Sequence, residues 1–149
     1  MNIYLKQFIN KKFKTCGFNA LDLGEGEGYD VACLEHDGWN VWGVDKKSSG
    51  TDLNKPFLCG RGGTFDLIYS NYVLHRIKNK EVFIDSIYNN LKDNGKFFLH
   101  LIHIPEEEIN ELLKDKFKNI KYEHIKHFDN DIGHKHWHRI LEVTGEKIN

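Results

Sequence analysis

The chain has 149 residues, with 21 Lys and Arg against 22 Asp and Glu, for a formal net charge of −1. That length suits one domain with its own hydrophobic core, and an apolar fraction of 40% excludes a disordered tail. Near-neutral charge excludes a broadly cationic nucleic-acid binder, though not a local basic patch, while three cysteines without CxxC spacing argue against a disulfide framework or structural zinc and fit a reducing cytoplasm.

The opening MNIYLKQFINKKFK is apolar at Ile3, Leu5, Phe8, Ile9 and Phe13 with lysines between, and it lacks the h-region and cleavage site of a signal peptide. It predicts a short amphipathic helix within 1–15. No stretch reaches the roughly 18 to 20 apolar residues of a membrane span, so no membrane partner is expected. FNALDLG at 18–24 is an apolar run ending in glycine, which predicts a buried strand entering a turn. Tyr29 to His36 then reads as a helix that stops at Asp37-Gly38, and WNVWGVD at 39–45 as a second strand ending in an acid.

FDLIYSN at 65–71 is a third strand, and Lys80 to Leu91 a helix with Phe83, Ile84, Ile87 and Leu91 on one face, closed by Asn94-Gly95. KFFLHLIHI at 96–104 is the longest apolar run and predicts a central strand. Pro105 and three glutamates open a further helix, with Lys114, Lys116 and Lys118 near its end as the helix dipole favours. Residues 119–128 and 136–144 read as two strands joined by the turn-rich DNDIG. The alternation predicts an α/β fold: a Rossmann-like, doubly wound, mostly parallel sheet with a C-terminal antiparallel hairpin. The expected organisation is a single domain over 1–149, with an N-terminal helix at 1–15, a cofactor-binding core at 16–104, and a helix plus hairpin at 105–149.

In such a sheet, ligands sit outside the carboxyl ends of the strands, where the turn after the first strand belongs. That turn lies within LDLGEGEGYD, residues 21–30. Gly24, Gly26 and Gly28 permit positive φ and close approach of a ligand to the backbone. The P-loop lysine is missing, and the spacing is GxGxG where a dinucleotide site wants GxGxxG. Asp22, Glu25, Glu27 and Asp30 would repel a pyrophosphate. A sulfonium and an ammonium group suit this acidity, and S-adenosylmethionine carries both.

D-x-G-x-G-x-G at 22–28 resembles motif I of the class I S-adenosylmethionine-dependent methyltransferases, and other stretches are similar in order: Asp45, TDLNKPF at 51–57, FDLIYSNYVLHRI at 65–77 and LKDNGKFFLH at 91–100. The resemblance implies that Asp22 orients the methionine moiety and that Gly24, Glu25, Gly26 and Gly28 form the turn beneath the cofactor. It also implies that Asp45, beside Lys46, accepts from the ribose hydroxyls, and that Asp52, with Leu53 for apolar contact, receives the adenine amino group. Ser70 and Asn71 would lie where the transferable methyl faces its acceptor. Asp45 also reads as a helix cap, and Asp52 as a plain turn residue.

The sequence departs from the family in segment 46–64, which has no amphipathic helical stretch, so the third-strand region is expected to be shortened or missing. No insertion is large enough for a substrate lid. SNYV at 70–73 stands where amino-directed enzymes carry D/N-P-P-Y/F, which counts against adenine-N6 or glutamine methylation. His75 and Tyr72 are the candidate catalytic side chains; His75 suits a general base but equally a packing or surface role.

HKHWH at 134–138 aligns three histidines on one strand face, yet no carboxylate or cysteine completes a recognised site, and no metal is expected. Trp137 reads as core or a substrate wall, and Arg139 as a contact for an anionic substrate. The leading expectation is methyl transfer to a small-molecule acceptor, nucleic acid remaining open. A cofactor-binding subunit that is non-catalytic or partner-dependent is the alternative, followed by an RNA methyltransferase or a nicotinamide-dependent oxidoreductase.

Overall fold

A computed structural model describes residues 1–131 and 134–148, apart from the side chains of residues 129–131, 134–136 and 138. A six-stranded sheet has the order β2-β1-β3-β4-β6-β5. Its strands are β1 (Asn19–Leu23), β2 (Asn40–Val44), β3 (Phe65–Asn71), β4 (Leu91–Leu101), β5 (Phe117–Asp131) and β6 (His134–Lys147). The first four are mutually parallel, and β6 runs antiparallel to both β4 and β5. The mostly parallel sheet with its closing hairpin is therefore as the alternation predicts.

Period-two alternation along the strands sorts apolar side chains onto two faces. Leu21, Leu23, Phe97 and Leu99 enter a core beneath α3 (Lys80–Asn90) and α4 (Glu106–Leu113). Ala20, Tyr69 and Phe98 enter a second core beneath α1 (Ile3–Lys12) and α2 (Tyr29–His36). Helices on both faces explain why the parallel strands are near-continuous apolar runs.

No strand lies between Val44 and Phe65 among the described residues, as the missing amphipathic stretch predicts. The segment instead lies along α3, held by asparagine side chains from both sides that bond backbone groups across the contact. Asn54 Oδ1 accepts from the Lys78 and Asn79 N–H groups, and the buried Asn90 amide bonds Cys59 N, Phe57 O and Ser86 O.

Several boundaries differ from the sequence reading. Helix α3 stops at Asn90, because Leu91 is already extended and paired with Phe65; Asn94, with φ of 62°, turns the chain inside the entry to β4 and does not close the helix. Helix α4 ends at Leu113, leaving Lys116 and Lys118 beyond it. Ile3 is exposed at the start of α1, whose buried residues are Leu5 and Ile9. The hairpin is longer at both ends than 119–128 and 136–144. Its inner rungs pair with β4 only as far as Leu101 opposite Leu141, so the outer rungs project past the carboxyl edge of the parallel strands as a two-stranded ribbon.

Candidate functional site

The glycine turn emerges from β1 and is anchored to its neighbour: the Gly24 and Glu25 N–H groups donate to Val44 O at 2.7 and 3.2 Å. Gly24, Gly26 and Gly28 all have positive φ, at 85°, 56° and 79°. Their surroundings differ. A Cβ at Gly24 would strike the Val73 side chain, whereas one at Gly26 would meet nothing within 4 Å. The middle of the turn therefore presents bare backbone to open space, a cradle that a side chain would fill.

Carboxylates stand at both ends of this cradle. Asp45 follows β2 and accepts from Lys47 N at 2.9 Å and Gly26 N at 3.1 Å. Those two donors, Lys47 first, hold its carboxyl below the usual range. Asp22, the penultimate residue of β1, is 3% exposed. Burial pushes its carboxyl up to about 7, the Tyr69 hydroxyl pulls the other way, and Asp30, Glu25 and Asp45 add to the rise. The buried Tyr69 hydroxyl makes no well-formed hydrogen bond among the described residues, so its pull on Asp22 is weak beside the effect of burial.

Ser70 and Asn71, at the end of β3, differ in kind. The Ser70 hydroxyl is buried and donates to Leu23 O at 2.8 Å, which ties β3 to β1. Asn71 faces the site rim and donates to Asp30 Oδ2 at 3.0 Å. Lys46 is exposed past β2. Asp52 is fully exposed, and the Asn54 N–H it accepts holds its carboxyl low; Leu53 is buried in the α3 core. The structure thus brings together Asp22, the turn, Asp45 and Asn71, with Asp52 and Leu53 on the neighbouring segment.

A hydrogen-bonded chain that the sequence reading missed closes the other side. Asn2 caps α1 through Oδ1, donates its N–H to Asp30, and reaches Asn71 Oδ1 and His100 Nδ1 through Nδ2, both at 3.2 Å. His100 Nε2 meets Glu142 Oε1 at 2.8 Å. An amide N–H can only donate, so His100 accepts at Nδ1 and carries its proton toward Glu142. Two signals were available: asparagine before an apolar-periodic run is a cap, and a histidine inside KFFLHLIHI needs partners when buried.

Beyond β3 and β4 the backbone turns through left-handed conformations at two non-glycine residues, Tyr72 and His103, each with φ of 61°. Tyr72 lies edge-on to His100, and His103 edge-on to His75 at 6.2 Å between ring centroids. Burial, then Arg76, His103 and Lys80, pushes the His75 imidazole below its ordinary value, which favours its neutral form. The projecting ribbon rises on this same side. It carries exposed Phe128 and Trp137, 5.1 Å apart, with Lys126 over the indole; Trp137 is 58% exposed and so is not core. Arg139 is also exposed. His134, His136 and His138, the residues of the metal motif, have side chains outside those described.

The family model for a methyltransferase domain matches residues 4–144. Phosphoethanolamine N-methyltransferase 2 of Haemonchus contortus, solved with S-adenosyl-L-methionine, is 16% identical with a TM-score of 0.78, over 99% of this chain and 53% of that one. The 1,6-didemethyltoxoflavin-N1-methyltransferase of Burkholderia thailandensis, solved with bound 1,6-didemethyltoxoflavin and S-adenosylhomocysteine, is 16% identical with a TM-score of 0.75, over 96% and 76% of the two chains. A Haloferax volcanii putative methyltransferase in complex with the Trm112 methyltransferase activator is 15% identical with a TM-score of 0.71, over 97% and 89%. The chain spans about half the length of the Haemonchus protein. No curated protein matches the sequence. No helix among the described residues is long and apolar enough to cross a membrane.

Proposed function

Because this chain belongs to the methyltransferase-domain family, we propose that it binds S-adenosylmethionine across the carboxyl ends of β1, β2 and β3 and transfers the methyl group to a small-molecule acceptor. The observation that carries this reading is the open backbone cradle at Gly26 between the carboxylates of Asp22 and Asp45. A carboxylate offers only acceptors, which suits a ribose diol at Asp45. Asp22 faces the cationic methionine end and gains from ionising beside it. Both would repel a diphosphate.

The cofactor supplies a methyl group on a positively charged sulfur, an electrophile that needs no metal. An acceptor that carries a proton would have to give it up on methylation, and this chain's own residues would have to take it. His75, whose neutral form its surroundings favour, is our candidate to take that proton. Tyr72, Asn71 and the ribbon bearing Trp137 form the acceptor side. Much of the rate then comes from holding the acceptor in line and excluding water. Free thiols at Cys16, Cys33 and Cys59 suit a cytoplasmic setting.

Calorimetric titration with S-adenosylhomocysteine tests the cofactor site. Binding is expected, Asp45→Ala should weaken it at least tenfold, since a charge-assisted hydrogen bond contributes about 1.5 kcal/mol or more, and NAD should give no heat. A folded protein that binds NAD and not S-adenosylhomocysteine sinks the reading. The uncovered edge at β2 favours a second reading, in which the cofactor binds but turnover needs a partner. Cofactor binding without any labelled product from a broad extract screen would select it.

A further inference from the structure

The sheet stops at β2 because segment 46–64 gives it no neighbour. The inner side of this strand is occupied: Asn40 N donates to Phe18 O, and Val44 O accepts from the glycine turn. In a parallel ladder alternate residues direct their backbone groups to opposite sides. Val41 and Gly43 therefore direct their N–H and C=O groups outward, where no partner is present among the described residues. Natural sheet edges are guarded by lysine, proline, inward charges or bulges. NVWGV has none of these, pairs with β1 without a register break, and carries Trp42 at its centre, 51% exposed.

We propose that two copies of this chain pair antiparallel through β2, about a two-fold axis at Trp42. The occupant follows from the strand's own symmetry. Val41 and Gly43 lie equidistant from Trp42, so the axis sets Val41 opposite the partner's Gly43, and each such pair exchanges both N–H···O bonds. The axis also sets Trp42 beside its mate in a non-hydrogen-bonded pair, where Cα atoms are about 4.5 Å apart, and the indoles shield each other. Charges beyond the strand agree. The exposed Lys46 and Lys47 of one copy come to the end where the partner's Asp37, also exposed, precedes β2.

Sedimentation of the full chain tests this. The native protein should show twice the single-chain mass, and Trp42→Glu, which sets two carboxylates together at the axis, should halve it. Trp42 also packs edge-on to Phe65 at 5.6 Å, so a second measurement guards against a folding defect. In a Cys16→Ser background, Trp42→Cys should form an interchain disulfide under mild oxidation, while Asn40→Cys, displaced from its own mate along both strands, should not. A single-chain mass at every concentration, with or without S-adenosylhomocysteine, overturns the proposal and leaves the edge to a strand from a different protein. A doubled mass retained by Trp42→Glu, or equal cross-linking at positions 40 and 42, overturns it as well.

Discussion

Asp22 makes the charge of the cradle depend on pH. Its carboxyl is raised from 3.8 to about 7 in the fold, so the folded chain holds this proton more tightly than the unfolded one. The associated stability is fully present below the unfolded value and is lost as pH rises through about 7. Urea unfolding across that window should show stability falling with pH, and Asp22→Asn should flatten the fall and raise stability at alkaline pH, on the order of a few kcal/mol. The three glycines of the turn separate two further effects. Gly24→Ala drives a methyl into Val73 at a left-handed φ and should cost about 1–3 kcal/mol. Gly26→Ala meets open space, should cost about 1 kcal/mol in a thermal melt, and should nonetheless weaken S-adenosylhomocysteine binding by occupying the cradle. The acidic turn and Asp45 were legible because their meaning is local: a few adjacent residues state both backbone freedom and charge. The pairing of Asn2 with His100 was not, since it joins residues separated by 98 positions.

Among the elements, α1 is the one most dependent on a single side chain. Asn2 caps the helix and ties it to Asp30 on α2, Asn71 on β3 and His100 on β4. Asn2→Ala should lower stability by about 1–2 kcal/mol, and hydrogen exchange should quicken in α1 before the sheet. Strands β1 and β3 could be read directly, because an apolar run between turn residues leaves few alternatives. The end of α3 could not. Its apolar spacing continues through Leu91, and only the claim of Phe65 on that residue, with Asn90 turned back to hold Phe57 and Cys59, decides the boundary. Segment 46–64 shows the converse case, where a missing periodicity correctly signalled a missing strand.

At the scale of the molecule, a ligand that binds only the folded chain stabilises all of it. With S-adenosylhomocysteine at about a hundred times its dissociation constant the gain is about 2.7 kcal/mol, which for a chain of this size corresponds to a rise in Tm of about 5–10 °C. Differential scanning calorimetry should show that rise for the native protein and, at the same ligand concentration, no more than about half of it for Asp45→Ala, whose binding is at least tenfold weaker. That the sheet is mostly parallel and closes with a hairpin could be read from the alternation of elements, since parallel strands require crossovers and only the tail could return directly; the order of the strands within it could not. How far that hairpin runs past the sheet was hidden, because strand length on a ribbon without neighbours leaves no mark in apolar periodicity.

That overhang has an evolutionary consequence. Phe128, Trp137 and Arg139 on its outer rungs are exposed and belong to neither core, so mutations at these positions escape the purifying pressure that packing imposes on Phe97 or Leu21. Lineages can revise these three and retain the same scaffold, and, on the proposed placement of the acceptor beside this ribbon, preference for one acceptor over another can drift without a foldability crisis.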